Sequence, residues 1–360
     1  GREHFHLTSN LALLSFVASF GVSKSLANLF AGRLCDRFGR RRVLLSGWAL
    51  GLAEPLLIVV APNWTMVVVA NLLLGIQQGI CWTTAITMMV DRSRSDSHGL
   101  ATGINEFAGY VGSAVATLAA GLLAARYGLR PVPFLPSVAL LAAGFLLTLF
   151  TVTDTVRLRI AGTAWLPLDV ISVAFQQLHR NRALLLCSQC GLVINLFQAL
   201  VTVLLPVFLR ERGVDVAGIG LVLFAYTFTW GIAQGVAGAV SDHVDRRLLI
   251  AAGMAGQGIA LLGLVLMPSY TPWLLCAVLM GAARALAYPT LLAAVADSVK
   301  GRATATALGV YRFYRDSGFW VGGLAGGAIA DLAGIPGALL AASALMVTSG
   351  GITLRMPVCT

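Results

Sequence analysis

Apolar residues gather along this chain in blocks long enough to cross a bilayer as a helix, about 20 residues each. Eleven such blocks predict transmembrane helices at 10–32, 43–61, 65–90, 99–125, 134–153, 184–209, 217–240, 248–268, 273–296, 303–331 and 335–354. The polar stretches between them are short, with one exception at 154–183. Within that connection Leu168–Arg182 sets Val170, Val173, Ala174 and Leu178 on one side, the pattern of an amphipathic helix lying in a membrane interface. The pattern divides the chain into a bundle at 1–153, a cytoplasmic linker at 154–183 and a second bundle at 184–360. It describes an all-α, multi-pass membrane protein.

Composition removes the soluble alternative. Of the 360 residues, 58% are hydrophobic and 11% charged, against about 25% charged in a soluble domain. The net charge of +10 does not indicate nucleic acid, because the basic residues sit in short loops between spans. The loops holding residues 33–42, 92–94, 157–182, 246–247 and 300–302 carry most Lys and Arg; the alternating loops hold only Arg126, Arg130, Arg210 and Arg212. The first set is therefore cytoplasmic. Cysteines are scattered, and the lone C-x-x-C at Cys187 and Cys190 has no second pair, so neither disulfide framework nor metal site is expected. No cofactor is implied.

The second half copies the first at one offset of 206: Gly32 maps to Gly238, Asp36 to Asp242, Arg40 to Arg246, Pro62 to Pro268, Gly75 to Gly281, Asp91 to Asp297, Gly103 to Gly309 and Gly128 to Gly334. Parallel repeats of this kind build many transporters, with the binding site between the halves. Moved back by the same offset, span 184–209 falls ahead of residue 10. The repeat thus predicts a twelfth helix before the eleven seen.

The segment Gly32-Arg-Leu-Cys-Asp36-Arg37-Phe-Gly39-Arg40-Arg41-Arg42 follows the first span. It resembles the signature loop of the major facilitator superfamily, G-x-x-x-D-R/K-x-G-R-R/K, at every fixed position. The second copy, Gly238 to Arg247, departs by placing Asp245 where the second glycine is expected. The resemblance covers the chain from residue 10 and implies the major facilitator fold in a bacterial inner membrane: two pseudo-symmetric bundles, with eleven of the usual twelve helices present. It implies that Gly32, Asp36, Arg37, Gly39, Arg40, Asp91, Gly238, Asp242, Arg246 and Asp297 gate the cytoplasmic side. On physical grounds Arg40 seeks a carboxylate at its own depth, which Asp91 supplies, as Asp297 does for Arg246. Two further patterns of the family's antiporters are missing. Gly109-Tyr-Val-Gly112 lacks a proline, and Gly75 stands where an arginine is expected three before Gln78.

Ionisable groups inside spans are functional candidates, since burying them in a membrane is costly unless they are paired or wetted. Here they are Lys24, Glu54, Glu106, Arg284, Arg312, Arg315 and Asp316. Glu54, beside Pro55, reads as a local polar kink. By the offset, Glu106 lies opposite Arg312 and Gln78 opposite Arg284. In the family the first, fourth, seventh and tenth helices line a central cavity. The resemblance so places Gln77, Gln78, Trp82, Gln189, Asn195, Gln198, Arg284 and Tyr288 on its wall. Lys24, Asn28, Glu106, Tyr226, Trp230, Gln234, Arg312, Arg315 and Asp316 flank it. The expectation is a monomeric, proton-coupled exporter of a small solute, with Glu106 or Asp316 carrying the proton and the arginines anchoring substrate. One excess positive charge among these groups leans toward an anionic or zwitterionic substrate. The alternatives are a metal-cation exporter and a non-transporting receptor or assembly protein. No nucleophile set, metal cluster or nucleotide loop points to an enzyme.

Overall fold

In a bilayer every backbone polar group must be bonded within the protein, so apolar spans become helices. The computed structural model describes residues 2–92, 98–154, 176, 178, 180–241, 243–298 and 303–355. Beyond a single turn at Arg2–Phe5, the long helices are α1 (Asn10–Phe38), α2 (Arg40–Val60), α3 (Trp64–Arg92), α4 (His98–Tyr127) and α5 (Leu135–Thr151) in the first half. The second half holds α6 (Arg182–Glu211), α7 (Val216–Ser241), α8 (Arg246–Leu266), α9 (Tyr270–Asp297) and α10 (Ala303–Thr353). Local chemistry sets the breaks. Ser9 and Asn181 cap α1 and α6 with side-chain oxygens. Gly39 separates α1 from α2 at a φ of 86°, a left-handed conformation that suits glycine.

Among the described residues, these ten long helices make eleven crossings, because α10 is two. Its 51 residues would reach about 76 Å if straight, over twice a hydrocarbon core. At Gly334 the backbone leaves helical geometry, with φ 75° and ψ 168°. The chain then doubles back: Gln189 of α6 donates to Ser349 Oγ at 2.8 Å, while Gly191 packs on Tyr311 and Arg315. Residues 311–315 and 349 thus stand at one depth on opposite limbs. Gly128, the repeat partner of Gly334, likewise has a positive φ of 84° and ends α4.

Within the first half α1 packs on α3, α3 on α2 and α2 on α5; within the second, α6 and α8 pack on α10, and α9 on α7 and α8. The halves meet along two seams, α1 with α10 and α4 with α7. Equivalent glycines make equivalent close approaches. A side chain at Gly75 would strike the Phe20 carbonyl and Lys24 amide of α1; one at Gly281 would strike the Tyr226 carbonyl and Trp230 amide of α7.

The seams are closed at one end only. From the periplasmic end inward, Gly327 abuts Leu11, Gly323 abuts Ala18, Gly21 abuts Phe319 and Trp320, Gly121 abuts Gly220, and Gly231 abuts Val111. Toward the cytoplasm, Gly32, Gly235, Gly238 and Gly309 have none of the described residues within 4 Å of a built Cβ. Helical periodicity puts Gly32 on the face of Gly21, Gly238 on that of Gly220, and Gly309 on that of Gly327. The same faces that touch near the periplasm therefore diverge near the cytoplasm, leaving the protein inward-facing.

Most of the amphipathic helix expected at Leu168–Arg182 lies outside the described residues, as does Asp242; the side chain of Asp36 is likewise not described.

Candidate functional site

A cavity of about 540 Å³ lies midway along the seams, in the range of small-molecule sites. Seven helices, α1, α3, α4, α6, α7, α9 and α10, contribute to its wall. Lys24, Gln78, Tyr226, Trp230, Arg284, Arg312, Arg315 and Asp316 all line it.

The buried carboxylate of Asp316 joins the halves. It accepts from Arg315 Nε at 2.8 Å and Arg315 Nη2 at 3.0 Å, from Asn195 Nδ2 at 3.0 Å and, across the seam, from Asn28 Nδ2 at 2.5 Å. Asn28 in turn accepts from Thr83 at 3.0 Å. Arg315 Nη1 donates to the Tyr288 hydroxyl at 2.9 Å, and Tyr288 donates to Glu106 Oε2 at 3.4 Å. Trp82 Nε1 donates to the other oxygen of Glu106 at 2.8 Å. One polar chain thus runs from Asp316 through Arg315 and Tyr288 to Glu106, crossing from α10 and α9 to α4.

The remaining cations have neutral neighbours. Lys24 Nζ donates to Gln78 Oε1 at 3.1 Å and lies 5.1 Å and 5.4 Å from the ring centroids of Phe20 and Phe319. Arg284 donates to the Ile194 carbonyl at 3.3 Å and Asn195 Oδ1 at 3.2 Å, with its guanidinium carbon 4.1 Å from the Trp230 ring centroid. These contacts are repeat-related, since Lys24 and Gln78 map onto Trp230 and Arg284. Each half pairs one cation with one neutral group at the same place, with the charge on α1 in one half and on α9 in the other. At the seam, Tyr110 stacks on Trp230 with centroids 3.7 Å apart and meets the edge of Tyr288 at 5.9 Å.

Several residues expected on the wall or flanking it do not reach the cavity surface. Glu106 is buried but stands behind Trp82 and Tyr288, not on the cavity surface. Gln234, one turn from Trp230 toward the cytoplasm, is buried and does not line the cavity. The rise of a helical turn carries it past the aromatic layer. Gln77 packs against Gly51 of α2 within the first half, and Gln189 is turned to Ser349.

At the cytoplasmic face, Arg40 Nε donates to Asp91 Oδ2 at 3.2 Å and Arg40 Nη1 to the Cys35 carbonyl at 3.2 Å. Arg246 pairs with Asp297. Each pair joins two helices of one half, so neither pair spans the seam. The exposed Arg37 places its guanidinium 5.1 Å from the Phe38 ring centroid.

The loop holds a carboxylate that the motif did not reveal. Asp154, after α5, accepts from the Arg41 amide at 3.0 Å and so caps α2 from outside. A side chain at Gly39 would meet Asp154 Oδ2 at 2.8 Å, so glycine there admits the carboxylate. In the second half Asp245 replaces that glycine at an ordinary φ of −52° and accepts from the Arg247 amide at 2.9 Å. Hydrogen bonds from Arg247 hold its carboxyl below the usual carboxylate range. The departure from the motif therefore preserves the cap and changes only which residue supplies it. Asp331 of α10 was also not singled out by sequence. It accepts from Ser9 Oγ at 2.7 Å, the Asn10 amide at 2.5 Å and the Leu11 amide at 3.1 Å, clasping the start of α1 across the periplasmic seam. Nothing in the sequence links Ser9 to Asp331, which are 322 residues apart.

Comparison with known proteins agrees with this geometry. The family model described as Major Facilitator Superfamily matches residues 2–217 and 190–357. Among curated relatives, the multidrug resistance protein MdtG of Citrobacter koseri is 27% identical over 341 residues, covering 91% of this chain and 81% of that protein. MdtG of Salmonella typhimurium has the same identity and coverage. Among solved structures, the human organic anion transporter MFSD10 (TETRAN) superposes with a TM-score of 0.71 at 16% identity, covering 94% of this chain and 83% of that one.

Proposed function

Since the chain belongs to the major facilitator superfamily, and is thus a multi-pass membrane transporter rather than an enzyme, we propose that it exports a small organic solute in exchange for protons by alternating access. The relatives named for multidrug resistance support the outward direction. The observation that carries the reading is the polar chain from Asp316 to Glu106, which adjoins the cavity and crosses between the halves. A carboxylate beside a binding site couples two ligands when its protonation rearranges the hydrogen bonds that connect it to the site, here through Tyr288 to Arg315.

Glu106 suits the proton better than Asp316. Protonating Asp316 would strand the buried Arg315, whose carboxylate partner it is. The hydrogen-bond donors to Glu106 are a neutral indole and a neutral phenol, so a proton there strands no cation. The seam glycines support the alternation, because the faces that touch at the periplasmic end continue uncovered at the cytoplasmic end. Closing those faces while releasing Asp331 from Ser9, Asn10 and Leu11 would turn the cavity outward. A cavity with four fixed cations, Lys24, Arg284, Arg312 and Arg315, is poorly suited to export of metal cations.

The test uses full-length protein in vesicles. An imposed proton gradient should drive efflux of a transported aromatic probe. Glu106→Gln should abolish that efflux while probe-for-probe exchange survives. Normal proton-driven efflux by Glu106→Gln would remove Glu106 from coupling.

A further inference from the structure

The cavity carries more positive charge than its own carboxylates can answer. Beside Lys24, the arginines Arg284, Arg312 and Arg315 contribute three cations; Asp316 on the wall and Glu106 behind it contribute two carboxylates, so the arginines alone outnumber the carboxylates. Only Arg315 is within ion-pair distance of one of these carboxylates. Arg284 is 1% exposed, and its hydrogen bonds go to a carbonyl and an amide oxygen. Its Nε, like the Nε of Arg312, is buried with no hydrogen-bond partner among the described residues. A buried guanidinium is costly to keep without an anion, and an unpartnered polar atom in a native interior calls for an explanation. Both side chains line the same cavity.

The rest of the wall says what the anion is attached to. Phe20, Phe319, Trp230, Leu223 and Val201 give the cavity a broad apolar surface. Such a surface favours an aromatic or aliphatic body by burial, and planar guanidinium groups favour carboxylate, phosphonate or sulfonate oxygens. From these observations we infer that the cavity binds an amphiphilic organic anion, its acidic group held between Arg284 and Arg312 and its apolar body against Phe20, Trp230 and Phe319. This rests on the transport reading above and adds the substrate's charge class. The anion also supplies a route to coupling. A headgroup that reaches Arg312 or Arg315 alters the field at Tyr288 and Glu106, through which a proton is then taken up or released.

The test compares three probes of one shape, 1-naphthoate, 1-naphthylmethanol and 1-naphthylmethylammonium, on the purified full chain in nanodiscs. We expect 1-naphthoate to bind at least tenfold tighter than either of the others, by titration calorimetry. Arg284→Gln and Arg312→Gln should each weaken 1-naphthoate by tenfold or more and leave the alcohol unchanged. The melting temperature of ligand-free Arg284→Gln should not fall, because a buried charge without a carboxylate has been removed. A merely structural arginine would lower it. Should Arg284→Gln not fold, the half-buried Arg312 carries the same comparison. Equal or tighter binding of the ammonium probe, or unchanged 1-naphthoate affinity in Arg312→Gln, overturns the inference. If vesicles show proton-driven efflux of the ammonium probe and none of the naphthoate, transport stands and the anion assignment falls. If neither probe moves although naphthoate binds with the expected arginine dependence, the site stands and the transport reading falls.

Discussion

At the scale of single residues, Asp316 and Arg315 show how a charge survives in a membrane interior. Both are buried, and Asp316 has four donors. Removing one partner of a buried pair strands the other, at about 3–5 kcal/mol. We expect Asp316→Leu to lower stability by that amount, and the double variant Arg315→Met/Asp316→Leu, set beside Arg315→Met alone, to recover much of it. Chemical denaturation of the four members of the cycle measures the coupling. A smaller effect belongs to Asp154, which supplies the cap missing from Gly39. Asp154→Ala should cost about 1 kcal/mol, the usual worth of a helix cap. Asp154→Asn, which keeps an oxygen for the Arg41 amide, should cost less than half as much in the same thermal melts.

At the scale of elements, the helices meet through glycine faces, and half of each face is in use. Gly238 sits on the face of α7 that includes Gly220, yet has open space before it. Gly238→Val should therefore fold with little change in melting temperature, since none of the described residues lies within 4 Å of a Cβ built there. It should reduce proton-driven efflux at least tenfold, because the outward-facing state must bring α7 and α4 together at that end. Normal efflux by Gly238→Val would show that the two helices do not close there. The pair Arg40–Asp91 belongs to the same scale. It ties the start of α2 to the end of α3, fixing the loop as a unit that moves with its half.

At the scale of the whole molecule, the periplasmic clasp joins the two halves at one end of the seam. Asp331 accepts three hydrogen bonds from Ser9, Asn10 and Leu11 across the seam. Bonds made in one state and absent from the other bias the equilibrium toward the state that makes them. Asp331→Ala should shift the population outward. Thr117 lines the cavity on its periplasmic side, so a Thr117→Cys reporter should react about tenfold faster with an impermeant maleimide applied from the periplasm. An unchanged rate would mean that Asp331 caps α1 without holding the state.

The sequence alone determined the eleven crossings, their orientation and the family motif, because bilayer thickness, loop charge and a repeat at fixed offset are one-dimensional signals. It also marked the charged groups Lys24, Arg284, Arg312, Arg315 and Asp316, since an ionisable residue in an apolar run stands out without any knowledge of its neighbours. Tertiary structure decided everything that depends on which faces meet. Gln77, Gln189 and Gln234 carry the same polar signal as Gln78, yet only Gln78 faces the cavity; the rotation of each helix about its axis is set by packing, not by its own sequence. Gly334 looked like a boundary between two spans and proved to be a turn within one bonded helix pair. Asp154 and Asp331 act on helix ends 113 and about 320 residues away. Such caps are recognised only once folding has brought a carboxylate to an unsatisfied amide, which is a relation in space that spacing along the chain does not record.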